Sequence, residues 1–277
     1  MKATSFPSVL SGWRRAAVSV WKEFSRHDGA QAAAAFSFYA FLSLFALLIL
    51  AAGVMGMVLK DRPDLHRRAL DYLARNAPGV SDMVEEALKT STDFGGLLGA
   101  VGLLGLLLSG TRVADSFQVW LNRVWEAERP SVLRRKLKSL VIMLVLGTAM
   151  ALGFALHSIL VYAASRTEGL EAPLSALSFL GAVALQGAGL TFAYSYAVEK
   201  GPGMGGSWKG ALLAALLINP LLLFLAWYYA NIGDLAAVYG SFAGVVMGIL
   251  SIYYAAYVVY LGAELNLFLY RRKESGA

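Results

Sequence analysis

The stretch 235–263 reads LAAVYGSFAGVVMGILSIYYAAYVVYLGA and contains no Asp, Glu, Lys or Arg. A helix needs about 20 apolar residues to cross the hydrocarbon core of a bilayer, so this stretch is long enough to span it. A helix also satisfies its own backbone hydrogen bonds, which lipid does not do for a loop or an open strand. The stretch therefore predicts a transmembrane helix.

Five further stretches free of charged residues precede it in the chain. The chain is 58% hydrophobic and only 15% charged, whereas soluble domains carry about 25% charged residues. We therefore expect an all-α, polytopic membrane helix bundle that forms a single integral membrane domain, residues 1–277. The six transmembrane helices are expected at about 31–59, 94–118, 139–163, 174–198, 210–231 and 240–268.

The distribution of Lys and Arg predicts the orientation of the bundle. One side of the predicted membrane collects 17 of these residues and the other side only seven. Because basic residues are enriched in cytoplasmic loops, both termini are expected in the cytoplasm. The formal net charge of +6 is then a topology signal, and no nucleic-acid partner is expected. The predicted location is a bacterial inner membrane, with multiple passes.

Two segments outside the spans have amphipathic patterns. In residues 8–26, apolar residues recur at helical spacing among basic ones, which suits a helix in the headgroup layer on the cytoplasmic side. Residues 60–93 are expected to form an external loop with two short helices. Leu65 to Leu73 marks the first helix and Met83 to Leu88 the second, with Ser81 as a candidate N-cap and Pro78-Gly79 as a turn between them.

Several motifs resemble the YihY/virulence factor BrkB family, formerly labelled ribonuclease BN. They are Asp28 with Ala32 to Ala35, Phe38-Tyr39, Ser43-Leu44-Phe45, Asn122 with Trp125, Trp208 with Gly210-Ala211, Tyr239-Gly240-Ser241, and Gly262-Ala263-Glu264-Leu265-Asn266. The resemblance covers nearly the whole chain in order and implies a six-helix inner-membrane protein, associated in some members with the envelope and virulence. One departure is Ala46, where the family often has proline, and it puts a kink of the first helix in doubt.

Polar groups at membrane depth are costly, so each is a functional hypothesis. Tyr253, Tyr257, Tyr260 and Glu264 fall on one face of the last helix, which indicates either a cavity face or structural hydrogen bonding. A cluster of polar groups at one level is expected at the inner boundary, where it either locks helix ends together, binds a substrate or headgroup, or couples to protons through Asp28 or Glu264. Its members are Asp28, Arg112, Asp115, Asn122, Glu264 and Asn266. Arg112 and Asp115, three residues apart, either neutralise each other or form one wall of a polar pocket. The candidate cavity or substrate path comprises Asp28, Tyr39, Arg112, Asp115, Gln118, Asn122, Gln186, Asn219, Tyr253, Tyr257, Tyr260, Glu264 and Asn266.

Three polar features are expected in the middle of spans. His157 is more typical of a helix–helix hydrogen bond than of a ligand, and Gln186 lies beside two glycines. Asn219 precedes Pro220, and proline inside a helix removes one backbone hydrogen bond and produces a kink. Such broken helices recur in transporters.

The motifs of common enzymes are absent from the sequence. The three histidines lack metal-ligand spacing, there are no cysteines, and no Walker motif is present. We therefore expect no catalytic residues, no metal and no cofactor, and we do not expect ribonuclease activity.

The leading hypothesis is a transporter or binder of a lipid, amphiphile or small solute in envelope homeostasis, with membrane lipids as partners. The rival hypothesis is a scaffold that does not transport and acts through its external loop. A homodimer through glycine-rich faces stays an open alternative.

Overall fold

The computed structural model describes residues 6–59, 64, 78–127, 130–167, 169, 171–199, 201–231 and 239–275. Within these residues the protein is all-helical, with seven α helices and a short 3-10 turn at Gly240–Phe242. The helices are α1 (Phe6–Arg26), α2 (Gly29–Leu59), α3 (Pro78–Val124), α4 (Val132–Ala164), α5 (Glu171–Ala197), α6 (Gly203–Asn231) and α7 (Ala243–Ser275).

Helices α2 to α7 contain six segments that are long and apolar enough to cross a membrane, which confirms the predicted number of spans. Large apolar side chains cover the outside of these helices, and Phe154 of α4 is 74% exposed. Apolar surface on this scale is stable in lipid rather than in water. Some helices extend beyond the stretches without charge. Helix α4 includes Arg134 to Lys138 before its apolar stretch, and α7 continues to Ser275 after its own.

The expected external loop differs from the structure in its second half. Helix α3 is continuous from Pro78 to Val124, so Met83 to Leu88 belong to the helix that contains the second span, Gly96–Val124, instead of forming a separate short helix. Ser81 lies inside α3 and is not its N-cap. Proline is well suited to a first helical position, where its missing N–H has no helical partner, and Pro78 therefore begins α3 rather than making a turn. The other predicted short helix, Leu65 to Leu73, lies outside the described residues.

The chain forms two compact units, and the expected single domain stays a prediction. The unit of residues 39–112 contains the second part of α2 and the first part of α3. Here Gly102 lies directly against the backbone of Leu50, and a Cβ atom at Gly105 would lie 3.2 Å from that of Ala46. Small residues thus allow close packing of two helices, as membrane helices require. Helix α2 is uninterrupted at Ala46, as the missing proline would suggest.

The other unit contains residues 1–38 and 113–277. In it, α4 packs on α5, α5 on α6, α6 on α7, and α1 on α7. Gly210 and Gly262 face each other where α6 crosses α7, and a Cβ atom at Gly210 would overlap the carbonyl oxygen of Gly262. The core of this unit includes large aromatic side chains from α1, α3, α5 and α7, namely Phe24, Phe117, Trp120, Tyr194 and Tyr260.

From Arg14 to Arg26, where the structure describes its side chains, helix α1 has apolar and basic residues on its surface. Val18 and Trp21 are 61% and 54% exposed, Lys22 is exposed, and Phe24 is fully buried against the bundle. A helix that exposes both apolar and basic side chains suits the boundary between headgroups and acyl chains.

Candidate functional site

A polar network lies at the end of the larger unit where α4 begins and α5 ends. At its centre, the buried Glu264 of α7 places Oε1 2.7 Å from Nδ1 of His27, which follows α1. The indole Nε1–H of Trp120 donates to the carbonyl oxygen of His27 at 2.9 Å. These contacts join α7, α3 and the turn between α1 and α2, so Glu264 fixes helix ends.

The expected place of Asp28 beside Glu264 needs correction. Asp28 has φ +56° and an exposed side chain, and its carbonyl oxygen accepts a hydrogen bond from the N–H of Ala32. This left-handed turn between α1 and α2 carries the carboxylate away from the bundle. The adjacent residue, His27, takes the predicted position. The sequence does show a histidine next to Asp28, which could have indicated His27 as the partner of Glu264. It does not show the direction of the turn.

Asn266 joins the last two helices. Its Oδ1 accepts a hydrogen bond of 2.7 Å from the N–H of Gly210, and its Nδ2 donates at 2.8 Å to the carbonyl oxygen of Ser207. Both backbone groups belong to the first two turns of α6. A side-chain amide has one acceptor and one donor group to match them, and Asn266 therefore holds the start of α6 against α7.

Asn122 and Gln118 make comparable contacts from α3. Asn122 Nδ2 donates to the carbonyl oxygen of Ala197, the last residue of α5, and its Oδ1 accepts from the N–H of Glu199. Gln118 Nε2 donates to Ser139 Oγ and to the carbonyl oxygen of Arg135. Asn122 therefore satisfies backbone groups at the end of α5 that have no helical partner, and Gln118 ties α3 to the first turns of α4.

Ion pairs complete the network. Asp115 Oδ1 lies 2.6 Å from Arg135 Nε, so its partner is on α4 rather than Arg112. Glu199 pairs with Lys138 at 2.8 Å and with Arg134 at 3.0 Å. Glu199 was not predicted, although four basic residues in the first turns of α4 indicate a need for acidic partners. Arg112 is exposed and belongs, like Tyr39, to the unit of residues 39–112.

The tyrosine face of α7 is largely covered by aromatic packing. Tyr260 is fully buried, with its ring centroid 4.5 Å from that of Trp120. The ring centroid of Tyr257 lies 4.5 Å from that of Phe24 of α1 and 6.0 Å from that of Tyr253 on α7. Of the two roles considered for this face, the contacts of Tyr257 and Tyr260 correspond to structural packing.

An open groove occurs elsewhere, between α4, α5 and α6. Its volume is about 890 Å³, which is within the range of roughly 300–1,000 Å³ typical of ligand sites. Most of its wall is apolar, with Phe154 and Leu223 exposed at the rim. It contains two predicted mid-span residues, Gln186 and Asn219.

Two polar pairs line this groove. His157 Nδ1 and Ser178 Oγ lie 2.7 Å apart, which shows the helix–helix hydrogen bond expected for His157. Deeper in the span, Asn219 Nδ2 donates to Gln186 Oε1 at 3.3 Å and to the carbonyl oxygen of Ala215 at 3.2 Å. Ser178 was missed, although an isolated histidine in a span requires a partner of its kind.

Position along the helices separates these two pairs. With about 1.5 Å of rise per residue, Ser178 and Gln186 lie about 12 Å apart along α5, and His157 lies about 10 Å from the end of α4. Pro220 follows Asn219 inside α6, where it removes one backbone hydrogen bond. The groove therefore has one polar pair toward the end of α4 and another at its opposite end, near the middle of the span.

The network and the groove differ in chemical capacity. Side chains of the network bond to one another or to helix ends, whereas the groove is an open space lined in part by polar groups. Among the described residues there is no group of three or more His, Asp or Glu side chains that could hold a metal ion. Since the groove has both the space and polar groups, it is the stronger candidate for ligand binding.

Comparisons of the sequence with known proteins identify a family and several relatives. The family model for virulence factor BrkB matches residues 20–277. A UPF0761 membrane protein of Alkalilimnicola ehrlichii is 29% identical over 91% of this chain. Those of Aggregatibacter aphrophilus and Azotobacter vinelandii are 22% and 25% identical over 93% and 96% of it.

The lengths of these relatives differ. The chain spans 58% of the Alkalilimnicola relative and 65% of the Azotobacter one, but 92% of the Aggregatibacter one. No solved structure matches the chain.

Proposed function

Because this chain belongs to the virulence factor BrkB family, whose matched relatives are named only as membrane proteins, we propose its function from the groove itself. The protein binds a membrane amphiphile between α4, α5 and α6 and moves it within a bacterial inner membrane. The observation that carries this proposal is an open groove inside apolar spans, with polar pairs at two depths.

The surroundings of the groove favour an occupant from the bilayer. Its rim includes Met150, Phe154 and Leu223, which are 69%, 74% and 72% exposed. An acyl chain gains little by leaving lipid for such a wall, since both are apolar. Binding energy must then come from the polar pairs, which offer hydrogen bonds that hydrocarbon does not.

The position of Pro220 supports movement in addition to binding. It lies one residue after Asn219, so the deeper polar pair is next to a break in the hydrogen-bond ladder of α6. A local change in α6 at this point would separate Asn219 from Gln186 and open the pair to a ligand. The role is non-enzymatic: no cofactor and no reaction enter the proposal.

Reconstituted vesicles test the proposal. Protein is added to vesicles that contain a single-chain amphiphile with a fluorescent NBD group, and dithionite then bleaches only the outer leaflet. The protein should raise the bleached fraction above that of protein-free vesicles. The double variant Gln186→Leu and Asn219→Leu should lose most of this increase, whereas Asn231→Leu, on α6 but outside the groove, should retain it.

Two results count against the proposal. If folded wild-type protein gives the bleached fraction of protein-free vesicles, it does not move this class of amphiphile. If the groove variant moves the amphiphile as fast as wild type, the route lies elsewhere. Retained function of that variant in cells, together with loss on replacement of residues 60–93, would support the scaffold alternative.

A further inference from the structure

We infer that the groove selects amphiphiles with an uncharged, hydroxyl- or amide-bearing head over amphiphiles with a charged head such as a phosphate. This inference rests on the proposed function and specifies its substrate class. It follows from the chemistry of the groove wall, from the depth of its polar pairs, and from the location of the charged residues in the same unit.

The polar side chains in the largely apolar wall of the groove carry no permanent charge. Among the described residues that line it, none is Asp, Glu, Lys or Arg. The polar lining side chains are His157, Ser175, Ser178, Gln186 and Asn219. A charge in an apolar environment is strongly unfavourable unless an opposite charge pairs with it, and this wall supplies no such permanent partner.

The basic residues of α4 lie at the end of the helix away from the groove. Arg134, Arg135 and Lys138 at the start of α4 pair with Asp115 and Glu199. His157, near the other end of the same helix, lies against a serine hydroxyl and not a carboxylate. Helix α4 therefore carries its cations at one end and only a histidine–serine pair in the groove.

The polar pairs match a neutral head group in their hydrogen-bonding capacity. A hydroxyl group both donates and accepts hydrogen bonds, and the same is true of a serine hydroxyl, a side-chain amide and a neutral imidazole. Gln186 accepts the hydrogen bond of Asn219 through Oε1, and its amide nitrogen makes no hydrogen bond to the residues that the structure describes. A ligand hydroxyl can thus accept from Gln186 without an unpaired charge.

The depth of the pairs adds a second constraint. The head group would enter beside His157 and Ser178, about 10 Å from the end of α4, and reach Gln186 about 12 Å further along α5. Between the two pairs the lining includes Ala182, Gly153 and Phe154. A phosphate would lose its hydration over this distance with no compensating cation, whereas a hydroxyl loses much less.

The absence of cysteine from the chain makes a direct binding test straightforward. Ala182→Cys places one thiol in the groove, and Leu180→Cys places one on the exposed side of the same helix. Each is labelled with bimane and reconstituted in nanodiscs with a trace of brominated fatty alcohol, which quenches the fluorophore on contact. Unlabelled hexadecylglycerol or hexadecyl phosphate, which have the same chain length, is then added as a competitor.

We expect hexadecylglycerol to relieve quenching at Ala182→Cys at a concentration at least about tenfold below that of hexadecyl phosphate, a difference of about 1.4 kcal/mol. Quenching at Leu180→Cys should respond equally to both competitors. In the Ala182→Cys protein, the further substitutions His157→Phe and Gln186→Leu should reduce the preference for hexadecylglycerol. The further substitution Asn231→Leu should leave this preference unchanged.

The outcomes separate the two claims. Equal competition by the two compounds, or stronger competition by the phosphate, would overturn the substrate class while the groove remained an amphiphile site. No preferential quenching at Ala182→Cys relative to Leu180→Cys would show that the groove holds no amphiphile, and the proposed function would fail with it. An unchanged preference in the variant lacking His157 and Gln186 would also overturn the inference.

Discussion

Glu264 is the most completely buried acidic residue among those that the structure describes, with 1% of its surface exposed. Its hydrogen bond to His27 ties α7 to the turn between α1 and α2, and Trp120 binds the same turn from α3. A buried carboxylate with such a partner is stable only while the partner is present, since an unpaired buried charge is costly.

Replacement of Glu264 should therefore destabilise the fold. We expect Glu264→Ala to lower the free energy of unfolding by about 1–3 kcal/mol, because it leaves His27 Nδ1 without its partner. Glu264→Gln should cost less, as the amide retains a hydrogen bond. Thermal unfolding in detergent measures both variants.

The matched control is Glu126→Gln, since Glu126 is 79% exposed and its contact with Arg271 is 3.4 Å long. Exposed ion pairs contribute about 0–1 kcal/mol, so this variant should unfold close to wild type. A Glu264→Ala protein as stable as Glu126→Gln would contradict the structural role of Glu264.

The sequence predicted which residues of α3 and α7 are polar and inward-facing, but not their partners. Gln118, Asn122, Glu264 and Asn266 are all buried, as periodicity along a span indicates. Their partners depend on where helices cross and on the left-handed turn at Asp28. The predicted single cluster is therefore a set of separate contacts at helix ends.

At the scale of elements, the crossing of α6 and α7 depends on two glycines. Gly210 and Gly262 bring the two backbones together, and Asn266 bonds to the first turns of α6 beside this crossing. In membranes, close backbone approach replaces the hydrophobic driving force that packs helices in water.

A methyl group at this crossing should thus separate the helices. We expect Gly210→Ala to lower the free energy of unfolding by about 1–3 kcal/mol, the usual cost of overpacking. Gly147→Ala, on α4, is the control, because a Cβ atom there meets nothing within 4 Å. Fluorescence-detected size-exclusion chromatography after heating compares them, and equal melting temperatures would show that the crossing tolerates a side chain.

The boundaries of the elements were less predictable than their number. Charge-free stretches locate the part of a helix that lies in hydrocarbon, and they omit turns that reach the headgroups. Helix α4 accordingly starts at Val132, before its basic residues, and α6 starts at Gly203 rather than at 210. The groove was not predicted, because the separation of three helices depends on packing that single-helix patterns do not contain.

For the whole molecule, we propose that both termini lie in the cytoplasm, on the basis of the Lys and Arg distribution. Arg166→Cys, in the turn after α4, should react with an impermeant maleimide on intact spheroplasts. Ser275→Cys, at the end of α7, should react only after the membrane is permeabilised. The opposite pattern of labelling would reverse the orientation and place the histidine–serine end of the groove on the cytoplasmic side.

The most direct test of the central claim is a cryo-EM map of the protein in nanodiscs of native lipid. We expect elongated density in the groove between α4, α5 and α6, with its polar end next to His157 and Ser178. Helices α4 to α6 packed without a groove, or a groove without density in a map that resolves lipids around the bundle, would contradict it.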